Sequence, residues 1–207
     1  MIMVINPISE NTDVFSRNLE HDIIYLVGEI NDEMAASVMA QLFERDCADL
    51  SNIPYNSQGS CWSINPSDKM HEERPISLYI NSPGGSVSAG LAIYDAMRSL
   101  DRSVITICAG MAASMAAVIL AGGDRRYILP HAEVMIHQPS GGALGKASDI
   151  LVAADHIRDR KKVLYEILSE RTGHSYDTIL NDAEHDFWMN AKEAVDYGIV
   201  DEILILK

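Results

Sequence analysis

The chain has 207 residues, of which 47% are hydrophobic and 22% charged, enough apolar material for one globular domain with a sizeable core. Sixteen Lys and Arg stand against 30 Asp and Glu, a net charge of −14 that argues against nucleic acid and anionic membrane surfaces as partners. The three cysteines, Cys47, Cys61 and Cys108, are odd in number and lack CxxC spacing, which points to a reducing compartment and away from a disulfide framework or zinc site.

Residues 1–6 are apolar but too short, and too poor in basic residues, for a signal peptide. The longest apolar stretch, 111–121, is too short to span a bilayer, so a cytoplasmic location is expected. Residues 23–27 are an apolar, β-branched run closed by Gly28 and read as a buried strand. Residues 31–45 carry Met34, Val38, Met39, Leu42 and Phe43 at helical spacing, with Asn31 or Asp32 as the cap. From 49 to 75 periodicity vanishes among Asn, Ser, Gly and Pro; a surface insertion is expected at about 51–71.

A strand is predicted at 76–81, a tight turn at Ser82-Pro83-Gly84-Gly85, and a helix to about 100. A third strand at 104–109 ends at Gly110, which turns the chain into a helix over 113–121. Short strands are expected at 126–129 and 133–137, then a glycine-rich stretch at 139–146. A long helix follows over 147–170, with Ile150, Ala154, Ile157, Leu164 and Leu168 as its apolar stripe. Such a helix is about 36 Å long, so part of it is expected to project and pack on a partner subunit. Short helices at 176–183 and 191–197 and a strand at 199–206 complete the chain. Strands alternating with helices imply an α/β fold with a largely parallel sheet, whose sites gather at the carboxyl ends of strands.

Ser114 follows a strand and opens a helix among small neighbours, which leaves room for a substrate carbonyl beside a helix N-terminus. The same position suits a simple helix cap. His137 ends an apolar strand and suits a general base, with His131 and His185 as rivals. Asp186, flanked by aromatics, suits a partly buried acid that orients an imidazole; Asp182 and Glu184 are the local alternatives. Gly84-Gly85 can bring a backbone N–H close to an oxyanion or can be only a turn. Neither GxxxxGK[ST] nor a helix-opening GxGxxG is present.

Four segments carry a resemblance: Tyr79-Ile80-Asn81-Ser82-Pro83-Gly84-Gly85, Gly110-Met111-Ala112-Ala113-Ser114-Met115, Met135-Ile136-His137-Gln138-Pro139 and Ala191-Lys192-Glu193-Ala194-Val195-Asp196-Tyr197-Gly198. In this order they resemble the ClpP family, the proteolytic subunits of the Clp protease. The resemblance implies a crotonase-like α/β fold with a protruding handle helix, matched by the long helix around 147–170. It implies a Ser114-His137-Asp186 triad, oxyanion donors at the backbone N–H of Gly85 and Met115, and a substrate-pairing strand at Gly141, Gly142 and Ala143. It further implies two stacked seven-membered rings around a proteolytic chamber, peptide and protein substrates, and an AAA+ unfoldase ATPase docked at the apical face. No metal or cofactor is expected for the cleavage step. The insertion at 51–71, with Ser77 and Ser99 where the docking groove usually has aromatics, leads us to expect altered or lost ATPase pairing, although Tyr79, Tyr127 and Leu129 keep the groove apolar. Two other readings compete: a structural ring subunit, which the presence of all three triad residues opposes, and an acyl-CoA enzyme of related fold, which lacks any use for the Ser114-His137 pair.

Overall fold

The computed structural model describes residues 13–48 and 74–205; the insertion expected at 51–71 lies outside the described residues. Helix α1, Val14–Glu20, comes first, and its seven residues are too few for a period to be legible in the sequence. Asp13 starts it, its carboxylate accepting the Phe15 and Ser16 N–H groups. Strand β1, Ile23–Val27, and helix α2, Asp32–Ala48, follow, and Asn31 caps α2 by accepting the Met34 N–H at 2.9 Å. Then come β2, Ile76–Ser82; α3, Val87–Ser99; β3, Val104–Ala113; α4, Met115–Ala121; β4, Arg125–Ile128; and β5, Glu133–Ile136. The long helix α5, Ala147–Thr172, leads to α6, Tyr176–Asp182; β6, Phe187–Asn190; α7, Ala191–Asp196; and β7, Glu202–Ile203.

The strands run β1-β2-β3-β4-β7, all parallel, while β5 branches off, parallel to β3 and antiparallel to β6. This is the expected α/β arrangement, a largely parallel sheet flanked by helices. The branch arises because β3 changes neighbours. Its first half, Ile105 to Cys108, pairs with β4, and its last residues, Met111 to Ala113, pair with β5. Gly110 sits between the halves at φ +119, and a Cβ there would lie 2.8 Å from the Asn81 Oδ1 of the neighbouring strand. It therefore bends a continuing strand and does not turn the chain into the helix, as the sequence suggested. The strand runs four residues further than expected and delivers Ser114 at its carboxyl end.

Helix α4 is buried on every face, from Met115 to Ala121. Its last carbonyl, Ala121 O, accepts Arg171 of α5 at 2.7 Å, the same guanidinium donates to Gly123 O beyond the helix, and Leu120 O accepts the Thr106 hydroxyl. Only the last third of α5 joins the core, through Leu164, Tyr165 and Leu168; Ile150, Leu151 and Val152 near its start are exposed. The C-terminal strand is shorter than expected. The Ile199 and Val200 N–H groups return to the carbonyl of Ala194 and close α7, so the ladder with β4 begins only at Glu202.

One ion cluster fastens the ends of the segment between α2 and β2. Asp22 is buried at φ +62, and its carboxylate receives Arg102 Nη1 at 3.0 Å and Arg45 Nε at 3.0 Å. The Arg102 guanidinium also donates to the carbonyls of Arg45 and Arg74, the residues on either side of the segment. Burial alone would push the Asp22 carboxyl up; the Arg102 hydrogen bond and the charges of Arg102 and Arg45 outweigh it and hold the group below the usual carboxylate range. Arg102→Ala leaves Asp22 buried and short of its main partner and is expected to cost about 3 kcal/mol in urea unfolding at neutral pH. A depressed carboxyl gives stability above its unfolded pKa of about 4 and loses it as pH falls through the folded value. The gap between variant and wild type therefore narrows in acid, and a gap that is constant with pH would count against this account.

Candidate active site

Ser114 stands where β3 ends and α4 begins, at φ +56 and ψ −121, a conformation that costs a side-chain-bearing residue about 1–3 kcal/mol. Its N–H donates to Met135 O of β5 at 2.8 Å, and its carbonyl accepts the Ala117 N–H, so both neighbouring elements hold it in that strained shape. It occupies the N-cap position of α4, yet its hydroxyl makes no cap. The Oγ lies 2.8 Å from His137 Nε2 instead.

His137 follows β5 directly, and its Nδ1 is 2.9 Å from Asp186 Oδ1. With Nδ1–H donating to the carboxylate, Nε2 is the unprotonated nitrogen and accepts the Ser114 hydroxyl proton. Strand β6, which the sequence did not announce, explains the acid's position. Ile136 pairs with Phe187 in the antiparallel β5-β6 ladder, so the next residue on β5 and the preceding residue on β6, His137 and Asp186, come together beyond its end. Strand β5 thus holds the serine through Met135 and faces the acid through Ile136. Asp186 differs from expectation in one respect: its side chain is 60% exposed, not partly buried between aromatics. Of the alternatives, Asp182 accepts the Tyr197 hydroxyl at 2.9 Å, and His131, His185 and the Glu184 side chain stay exposed outside this chain of bonds.

Gly84 and Gly85 pass between Ile30 and the Ser114 turn. The Ile30 N–H donates to Gly84 O, and the Ser86 N–H to Ile30 O, both at 2.8 Å. A Cβ on Gly84 would lie 2.7 Å from Ala113 O and 2.8 Å from Ser114 Cβ, and one on Gly85 would lie 2.2 Å from Ile30 O, so no larger residue fits. Gly85 and Met115 border the same cavity as Ser114. The first N–H groups of α4, Met115 among them, have no partner within the helix. Their orientation along the helix favours negative charge at this point.

The cavity encloses about 60 Å³ beside Ser114 and His137, and its apolar wall is Val87, Val118, Ile136, Leu164, Tyr165 and Leu168. Sequence reasoning missed this wall: Leu164, Tyr165 and Leu168 share the spacing of any core stripe, and nothing in the spacing tells a pocket wall from a core. The Tyr165 hydroxyl donates to Ala183 O at 3.2 Å, and burial pushes its phenol up to about 12, so it stays neutral. Residues 141–143 are exposed and lie outside any strand, just past Pro139 and Ser140 on the cavity rim. Among the described residues no cluster of three or more His, Cys, Asp or Glu is arranged to hold a metal, and no helix is long and apolar enough to cross a membrane.

The family model described as Clp protease matches residues 63–206. A protein of Bacteroides fragilis named ATP-dependent Clp protease proteolytic subunit is 46% identical over 197 residues, covering 94% of this chain and 84% of its own. Proteins of the same name from Bacteroides thetaiotaomicron and Ligilactobacillus salivarius are 45% and 44% identical, and the alignments span 80% and 87% of their lengths.

The strain at Ser114 has a measurable consequence. Glycine tolerates this backbone whereas alanine does not, so Ser114→Gly is expected to be more stable than Ser114→Ala by about 1 kcal/mol in chemical unfolding. Equal stability of the two variants would mean the turn is not strained.

Proposed function

The chain belongs to the Clp protease family and is a Clp-type serine peptidase, and we propose that it hydrolyses peptide bonds of unfolded proteins and peptides through a Ser114-His137-Asp186 triad and an acyl-enzyme. The observation that carries this reading is the unbroken chain from Ser114 Oγ to His137 Nε2 at 2.8 Å and from His137 Nδ1 to Asp186 Oδ1 at 2.9 Å. His137 removes the hydroxyl proton as Ser114 Oγ attacks the substrate carbonyl carbon. The Gly85 and Met115 N–H groups bind the oxyanion, each worth about 3 kcal/mol in the transition state. The C–N bond then breaks as His137 gives its proton to the leaving amine. Water, deprotonated by the same imidazole, hydrolyses the Ser114 ester and releases the acid. Asp186 holds the ring in the tautomer that both halves need.

The cavity wall next to Ser114 is apolar, which favours an apolar side chain on the residue before the cleaved bond. Gly141, Gly142 and Ala143 present free backbone at the rim and suit pairing with an extended substrate. In this reading the whole chain, 1–207, is one peptidase domain, and 51–71 is a surface insertion. Its flanks, Arg45 and Arg74, both meet Arg102, as expected of an insertion that leaves and returns at one point. The chain works in the cytoplasm as two stacked heptameric rings. The exposed Leu144, just before α5, and Ile150, Leu151 and Val152 in its first turns support such packing, because clustered exposed apolar side chains mark interaction surfaces. The relatives' names include ATP dependence. An AAA+ unfoldase is the corresponding partner here, with pairing weakened by the insertion and by Ser77 and Ser99.

A fluorophosphonate probe is expected to label Ser114 of the assembled protein, and Ser114→Ala to abolish both the label and cleavage of a fluorogenic peptide. His137→Ala should lower kcat by about 10⁶-fold. Peptide cleavage that survives in Ser114→Ala would overturn the assignment. For assembly, Leu151→Asp combined with Val152→Asp is expected to shift the sedimentation profile from large particles towards single rings or subunits; an unchanged profile would remove α5 from the interface.

A further inference from the structure

Asp186 presents a problem of support. Its side chain is 60% exposed, and the hydrogen bond described for its carboxylate is the one to His137, so burial does not hold it. The β6 pairing fixes the backbone after it, and the backbone leading into it, besides its own bonds to α6, is tied twice by side chains. Tyr165 donates its hydroxyl to Ala183 O at 3.2 Å, and Gln138 donates its amide Nε2 to Glu184 O at 3.1 Å. Gln138 is the residue after His137, and its other amide atom, Oε1, accepts Lys161 Nζ of α5 at 3.2 Å. The orientation of the amide is dictated by its partners, since the carbonyl requires the NH₂ and the ammonium requires the oxygen. Lys161 Nζ also lies 5.3 Å above the centre of the Tyr165 ring.

We propose that Gln138 is a positioning residue for the peptidase reaction: with Lys161 and Tyr165 it links α5 to the 183–186 turn and so holds Asp186 at the His137 ring. The proposal rests on the triad reading above. Both ties come from one face of α5, four residues apart, so a single helix sets the height of the turn. Without the Gln138 bridge the Tyr165 bond, one residue further from the acid, is the only side-chain tie described from α5 to this turn, beside its backbone bonds to α6 and the β6 pairing that starts at Phe187. The carboxylate of an exposed Asp then samples rotamers that leave the imidazole without its orienting partner. Substrate contacts do not change, because Gln138 itself does not line the cavity.

The test is a double-mutant cycle on a fluorogenic peptide with the assembled protein. Gln138→Ala is expected to lower kcat five- to thirty-fold with KM unchanged within two-fold. In an Asp186→Ala background the same change should cost less than two-fold, because the group it positions is gone. Lys161→Met keeps the aliphatic stem over Tyr165 and should give a smaller loss that does not add to that of Gln138→Ala. Gln138 is exposed, so these variants are expected to fold, with unchanged thermal midpoints as the check. An unchanged kcat in Gln138→Ala, an effect confined to KM, or an equal loss with and without Asp186 would overturn the proposal. Failure of the peptidase reading is distinguishable, since the wild-type protein would then carry no fluorophosphonate label at Ser114, and the role of Gln138 would fall with it.

Discussion

The site is organised around the hydrogen bond from the Ser114 N–H to Met135 O. It joins the end of β3 to β5 at a residue whose backbone is in neither an ordinary strand nor an ordinary helix conformation. Everything adjoining that bond has little freedom. Gly84 must be glycine because Ala113 O and Ser114 Cβ lie where its side chain would be, and Gly85 must be glycine because Ile30 O does. Helix α4 starts immediately after the turn and is buried all round, so the serine cannot move without moving core atoms. Strain at a reactive residue persists when its surroundings over-determine it, and here a strand, a helix and a glycine pair do so together.

The change of neighbours along β3 follows from the same constraint. If β3 paired with β4 to its end, β5 would have no edge on which to dock, and His137 would not reach Ser114. The bend at Gly110 lets β5 take over the last residues of β3. Once β5 is there, its other edge is open, and β6 pairs with it antiparallel. The geometry of the candidate site is thus a by-product of two successive strand pairings, each fixed by backbone hydrogen bonds, which are less tolerant of displacement than side-chain contacts.

These relationships explain what was legible in the sequence. The parallel strands at 23–27, 76–82 and 104–108 are β-branched apolar runs bounded by breakers, and such runs identify themselves. Ser114 and His137 are candidates because each follows a strand, but position alone does not separate a nucleophile from a helix cap or His137 from His131 and His185; the family resemblance makes that choice. The β6 strand could not be found, because Phe187–Asn190 is four residues that alternate between half-buried, exposed and buried positions and gain their pairing only from β5. Gly110 was read as a terminator because an isolated glycine has the same appearance in a turn and in a bulge; the position of Asn81 decides which it is. The strand expected at 199–206 failed for a related reason: its first two residues are apolar and buried, but their N–H groups close a helix. Hydrophobicity reports burial and does not report the hydrogen-bond partner.

The three residues of the proposed triad differ in how firmly the fold holds them, and this difference bears on the proposed mechanism. Ser114 is fixed by buried backbone on all sides, and His137 leaves a strand paired on both edges. Asp186 sits at the open end of an edge strand, mostly in solvent, on a turn whose ties run to Tyr165 and Gln138. Those ties lead into α5, whose opening turns expose Ile150, Leu151 and Val152. A displacement of α5 therefore bears on the turn that leads into Asp186 through both Tyr165 and Gln138. In a Ser-His-Asp chain the acid contributes orientation of the imidazole, so loosening it lowers turnover while the serine and the substrate cavity stay intact. The weakest-held member of the proposed triad is thus the one attached to the helix whose opening turns expose apolar side chains.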